Sequence, residues 1–161
     1  MQGSPHIISE LNSLLTGELS SADQYFVHSQ MYLNWGLHQL FTRLDHEQHE
    51  ELGHAQQLIK RILFLGGTPD VASRSALRIG KNVPEMLKND LLSELAVGSH
   101  LKKVIALCES EQDFETRRIL VELLQATEED HTHWLETQIS LIDRMGLQNY
   151  LQSVAMAAVS K

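Results

Sequence analysis

Residues 44–65, LDHEQHEELGHAQQLIKRILFL, decide the reading of the fold. Followed at alternating steps of four and three residues, they present Leu44, Gln48, Glu51, Ala55, Leu58, Ile62 and Leu65 on one stripe. Side chains at this spacing share one face of an α-helix. The stripe therefore predicts a long helix whose apolar seam is interrupted near mid-length by a glutamate. His54 stands beside the seam, three residues after Glu51.

The same pattern recurs on three further predicted helices. The first runs from about residue 5 to 35, with Ser4 as cap, Pro5 in the first helical position and Gly36 as its stop. Its seam is Ile8, Leu11, Leu15, Glu18, Ala22 and Tyr25. The second helix, about 39–65, ends at Gly66-Gly67-Thr68-Pro69. The third opens at Pro84 and reaches about residue 111, with Leu87, Leu91, Glu94, Gly98, Leu101, Ile105 and Cys108 on its seam. Asp113 caps the fourth, which runs to about residue 145 before Gly146. Its seam is Val121, Leu124, Glu128, His131, Leu135, Gln138, Ile142 and Met145. A short fifth helix is expected over about 147–159.

Connection lengths set the topology. The first and last helix pairs are joined by short loops and form antiparallel hairpins. The connection over about 67–82 is long enough to run back along a bundle and set the third helix parallel to the second. The expectation is an all-α protein with one domain over 1–161. It is a four-helix bundle (about 5–145) with one long crossover and a short C-terminal helix, the ferritin-like arrangement.

Each of the four seams carries a glutamate where a leucine belongs. Burying an unpaired carboxylate is costly, and four in one core repel each other. Protonation relieves this by raising pKa values; two divalent cations relieve it more completely, matching four negative charges with four positive ones. Two of the acids belong to Glu-x-x-His pairs, Glu51/His54 and Glu128/His131. Carboxylate and imidazole donors one helical turn apart suit iron, manganese or zinc rather than calcium or magnesium. Either pair alone is a weak signal; both together on interior seams are a strong one. The structural alternative is a set of satisfied core polar groups or misphased surface residues.

The formal net charge of −8 offers no basic face for nucleic acid. One cysteine, Cys108, cannot close an internal disulfide, which fits a reducing cytoplasm. The N-terminal stretch has no basic-then-apolar signal pattern, and no run has the length of a membrane span.

On the stretches GELSSADQYFVHSQMYLNWG (17–36), GHAQQLIKRILFLGGTP (53–69), EEDHTHWLE (128–136) and MGLQNYLQS (145–153), the chain resembles bacterioferritin over essentially its whole length. The resemblance implies a hollow shell of twenty-four subunits with a ferroxidase centre in each bundle, which oxidises Fe(II) to Fe(III) and deposits a ferric mineral inside. Glu18 and Glu94 would be terminal ligands, Glu51 and Glu128 bridging ones, with one nitrogen each from His54 and His131. Tyr25 is either a packed core tyrosine or a hydrogen-bonding electron donor at the centre. His46 and Glu50, one turn apart, match positions used for an inner-surface iron, or else form a solvated inner face. Asn34, His133, Asn149 and Gln152 match places near ion pores.

At the haem-ligand position the chain departs from the family pattern. The methionine that follows the helix-two glutamate is Leu52 here. Leucine has no lone pair, so a bis-methionine haem b is not expected in a shell of this chain alone. The chain resembles the ferroxidase-competent subunit that assembles with a haem-binding one, and a homopolymer of 24 is equally compatible. A ferredoxin-type reductant would release the iron. The alternative functions are a di-iron enzyme activating oxygen for an organic substrate, and a storage subunit of a mixed shell.

Overall fold

The computed structural model of the protein describes residues 1–156. The end of the expected fifth helix, 157–159, lies outside the described residues. Six α-helices follow in order: α1 Pro5–Asn34, α2 His38–Phe64, α3 Val83–Ser110, α4 Phe114–Gln125, α5 His133–Met145 and α6 Leu147–Ala155. A π-helical segment, Ala126–Thr132, joins α4 to α5, so the three form one continuous fourth rod. There is no strand among the described residues. No helix among them is long and apolar enough to cross a membrane.

Local chemistry sets the boundaries. Ser4 Oγ accepts the Ile7 amide, Asn82 Oδ1 the Glu85 amide and Asp113 Oδ1 the Thr116 amide, each satisfying a donor that the helix start leaves free. Glu85 reaches back to the Lys81 amide at 2.9 Å. At the end of α1, Gly36 N–H donates to Leu33 O and Leu37 N–H to Tyr32 O. That pair of bonds needs a left-handed residue, and Gly36 supplies it at φ +76°.

The crossover, residues 65–82, is held against α1 in sequence order. The Asp70 amide donates to Asn12 Oδ1, Ser75 to Ser20 Oγ, Arg78 to Gln24 Oε1 and Gly80 to His28 Nε2. The segment thus travels the length of α1 from its N-terminal to its C-terminal half. α3 then starts beside His28 and returns: Asp90 meets His28, Glu94 meets Tyr25 and His100 meets Glu10. α3 is therefore antiparallel to α1 and parallel to α2, as the long connection predicts.

The apolar core is split in two along the bundle. One half joins Leu11, Leu15, Leu58, Ile62, Leu101 and Leu120. The other joins Tyr32, Leu40, Leu44, Met86, Leu87 and Leu135. Glu18, Glu51 and Glu94 occupy the level between them, each 2% exposed or less.

The fourth rod corrects the expected seam. Val121 and Met145 are exposed, at 40% and 37%. The buried stripe is instead Leu120, Leu123, Thr127, His131 and Leu135. A π-bulge adds one residue to a turn. Counting back from His131 in regular α steps gives 128, 124 and 121; the extra residue slips the true stripe to 127, 123 and 120.

Candidate metal centre

α1 contributes Glu18, α2 Glu51 and His54, α3 Glu94 and the π segment His131. All five are buried. His54 Nδ1 lies 3.2 Å from Glu51 Oε2 and 3.7 Å from Glu18 Oε2. His131 Nδ1 lies 2.9 Å from Glu51 Oε1 and 3.4 Å from Glu94 Oε1. The two imidazoles stack with centroids 5.8 Å apart. Two carboxylate–carboxylate–histidine triads result, Glu18/Glu51/His54 and Glu51/Glu94/His131, each with its donor atoms within 4.8 Å of one another. Glu51 belongs to both.

The electrostatics are those of an acid-rich pocket drawing protons. Burial, reinforced by Glu51, pushes the Glu18 carboxyl up to about 8. Burial works against charge on His54, yet Glu18 and Glu51 outweigh it and raise that imidazole to about 10. His131 is raised in the same way, by Glu47, Glu51 and Glu94 acting against burial. Both Glu18 oxygens and His131 Nδ1 are buried with no hydrogen bond of sound geometry. Such orphaned donor atoms are rare in a settled core. Hard oxygen and imidazole nitrogen donors in two triads fit a pair of iron, manganese or zinc ions.

Tyr25 is buried and donates its hydroxyl to Glu94 Oε1. Burial first, then the charges of Glu94 and Asp90, hold its phenol well above the ordinary range. Tyr25 packs in the apolar core with its hydroxyl on Glu94, an arrangement that both readings of it share.

Glu128 departs from expectation. The regular seam predicts a buried ring member, but its side chain is 46% exposed and pairs with Lys102 outside the ring. The slipped seam is the reason. In an α-helix, residues three apart sit about 60° apart around the axis, as Glu51 and His54 do. The wider π turn winds less per residue, so Thr127 and His131 face inward and Glu128 points away.

Glu47 is the buried acid that the sequence reading missed. It is 2% exposed, contacts Arg43 and approaches His131 Nε2 at 2.6 Å. Leu44, Glu47, Glu51, His54 and Leu58 also follow three- and four-residue steps, and that was the available signal. Gln48, assigned to the seam, is only half-buried. His46 Nε2 lies 3.1 Å from Glu50 Oε1, as the one-turn spacing suggests. Glu50 also reaches His131 Nε2 at 2.8 Å, and Glu47, Glu50, Asp130 and His131 form a further cluster of donor atoms. Leu52, next to Glu51, faces outward at 45% exposure and presents only hydrocarbon. A haem iron needing an axial donor does not fit that position.

A bundle with one long crossover and two carboxylate–histidine triads at its middle defines a class of protein, and comparison with known sequences agrees. A family profile described as Ferritin-like domain matches residues 8–145. Similar over nearly the full length of both chains are proteins named Bacterial ferritin from Paramagnetospirillum magnetotacticum (58% identical; 96% of this chain, 95% of that one) and Synechocystis sp. (52%; 95% and 98%). A protein named Bacterioferritin from Mycobacterium tuberculosis is 40% identical, over 93% of this chain and 94% of its own. The chain belongs to the ferritin-like family, as a protein of the bacterioferritin type.

Proposed function

We propose that this chain stores iron and is itself a ferroxidase, oxidising Fe(II) at a dinuclear site made by the two triads. The observation that carries this reading is the sharing of Glu51 between them, one oxygen turned toward each histidine. A carboxylate so placed is a bridge, which sets two substrate ions side by side with Glu18/His54 and Glu94/His131 as terminal pairs. Two Fe(II) together supply the two electrons that reduce dioxygen to hydrogen peroxide, or hydrogen peroxide to water. Carboxylate oxygens favour the harder Fe(III) product. The residues' own tasks are to hold the ions, surrender their protons as metal enters, and keep the pocket closed by the two apolar layers. Tyr25, hydrogen-bonded to Glu94, orients that ligand and is placed to donate an electron.

His46 and Glu50 extend the donor set toward an inner-surface iron on the way to a ferric mineral. The shell would hold twenty-four subunits in the cytoplasm, either this chain alone or mixed with a haem-binding subunit. A ferredoxin-type protein would reduce the mineral for release. Leu52 leaves this chain without the methionine thioether that a haem b shared between subunits would need.

The test is anaerobic loading with Fe(II) followed by air. Fast oxidation consuming about two irons per chain, then slower mineral growth, is expected. Glu51→Ala should remove the fast phase while the shell still assembles. A fast phase that survives in this variant would refute the shared-ligand reading.

A further inference from the structure

The Nε2 side of His131 holds a second group of acids. Glu47, Glu50 and Asp130 bring carboxylate oxygens within 4.8 Å of one another and of a His131 nitrogen. Donors of this kind in this number would suit a divalent cation. Glu47 is the acute case: it is 2% exposed, and neither of its oxygens has a hydrogen bond of sound geometry. A buried carboxylate without a compensating charge is costly. The charge that meets it is a guanidinium. Arg43 Nε contacts Glu47 Oε1, and Arg43 Nη2 donates to Asp130 Oδ1 at 2.7 Å. The guanidinium carbon stands 4.9 Å from the Trp134 ring centroid, a cation–π seat. One side chain of α2 thus reaches the π segment and α5 at once and pairs with two carboxylates.

We propose that Arg43 is a positioning residue that acts as a built-in cation. It answers the charge of the Glu47/Glu50/Asp130 cluster, so that no metal ion settles on His131 Nε2 and the ring stays aimed through Nδ1 at Glu51 and Glu94. This rests on the dinuclear reading of that triad. A histidine that binds metal through one nitrogen is oriented by the proton its other nitrogen donates. Here Nε2 carries that proton toward Glu50 and Glu47. A divalent ion among the three acids would displace the proton and turn Nε2 into a ligand. The guanidinium prevents this because it supplies positive charge with no coordination position to fill. It stays protonated at every working pH, and its planar fork can bond two carboxylates where a lysine offers a single point charge. Glu50 keeps its other oxygen toward His46 Nε2, 3.1 Å away, so an ion on that pair is left free to bind.

The experiment loads the full assembled protein with Co(II), follows binding by visible absorption and calorimetry, and locates the ions in crystals by anomalous scattering. In wild type, Co(II) is expected at the two triads and not among Glu47, Glu50 and Asp130. Arg43→Met should admit Co(II) to that cluster, on His131 Nε2. It should also weaken binding at the Glu51/Glu94 triad about tenfold while the Glu18/His54 site keeps its affinity. Arg43→Lys retains the charge and should keep the cluster free of Co(II), with a smaller loss of affinity. A side chain needed only for folding would not create a new ion position when replaced. An empty cluster in Arg43→Met, wild-type affinity at its Glu51/Glu94 triad, or Co(II) in the cluster of wild type or Arg43→Lys overturns the proposal and leaves the dinuclear reading intact. Absence of Co(II) from both triads in wild type overturns both.

Discussion

Glu47 Oε2 and His131 Nε2 lie 2.6 Å apart with both side chains buried, while the other nitrogen of the same ring faces Glu51 and Glu94. One imidazole thus faces the metal site through Nδ1, while Nε2 bonds to Glu50 Oε2 at 2.8 Å with Glu47 Oε2 alongside. Metal-ligating histidines usually donate their second N–H to such a group, and its loss typically weakens metal binding 10- to 100-fold. Replacing both Glu47 and Glu50 by alanine should weaken Co(II) binding by about that factor at one of the two sites and leave the other, on Glu18 and His54, nearly unchanged. Equal weakening at both, or none, would remove these two carboxylates from this role.

Metal entry should expel protons. At pH 7 Glu18, raised to about 8, and His54, raised to about 10, are mostly protonated, and neither binds metal until it loses its proton. Calorimetric titration with Zn(II) in buffers of different ionisation enthalpy should show more than one proton released per chain at pH 7. Release should diminish as the pH is raised through about 8, above which Glu18 is mostly ionised. A proton count that does not change across that range would contradict the Glu18 assignment.

The helices were legible because their ends are local chemistry. Ser4, Asp113, Gly36, Gly66 and Gly146 stand where a cap or a left-handed residue is needed, and the crossover's length alone dictated the direction of α3. Four ring residues were legible because each interrupts a regular seam, and His54 because it follows Glu51 by one helical turn. Glu47 was not, because Leu44 is followed equally well by a step of three to Glu47 or of four to Gln48, and only packing against His131 and Arg43 decides. Glu128 was misplaced because a π insertion leaves no mark in composition. It is a turn-width choice made by the surroundings of residues 126–132, and it slips every earlier seam position by one.

A buried polar clamp fixes the crossover. His28 Nε2 accepts the Gly80 amide, so the ring proton sits on Nδ1 and is donated to Asp90 at 2.9 Å, with His28 and Asp90 fully buried. Gln24 ties the same Asp90 to the Arg78 amide. His28→Ala orphans Asp90 and Gly80 together and should cost about 2–4 kcal/mol. Hydrogen exchange should accelerate at the amides of Gly80 and Arg78 and stay unchanged at Asp70, which is held by Asn12. Unchanged protection at Gly80 would mean the clamp is not what holds the segment.

Asp113 caps α4 and also meets Arg61 at 2.9 Å, while Arg61 Nε donates to Thr116 Oγ1. Burial acts to raise its carboxyl, but the Thr116 hydroxyl and amide and the Arg61 guanidinium outweigh it and hold the pKa below the usual value. A depressed carboxyl contributes stability above the unfolded-state value near ~3.9, and that contribution disappears as the pH falls through the folded pKa. Asp113→Asn keeps a capping side chain but loses the charge. Its deficit against wild type in urea denaturation should be constant from neutral pH to about pH 5 and shrink below about 4. Asp113→Ala, losing the cap as well and leaving Arg61 unpaired, should cost about 2–3 kcal/mol at pH 7.

The turn after α3 repeats the motif that ends α1, but without glycine. Gln112 N–H donates to Glu109 O and Asp113 N–H to Cys108 O, the same pair of bonds that Gly36 and Leu37 make. Gln112 adopts φ +61° to allow them and is exposed, so no side-chain contact offsets the strain of a left-handed residue carrying a Cβ. Gln112→Gly relieves that strain at the expense of a more flexible unfolded chain, and the first effect is the larger one. The substitution should stabilise the fold by about 0.5–1 kcal/mol. Gln112→Asn should gain less, and Gln112→Val, β-branched at positive φ, should destabilise. The check is the order of urea midpoints, glycine above asparagine above wild type above valine. A glycine variant less stable than wild type would mean that the glutamine side chain contributes a contact the turn geometry does not reveal.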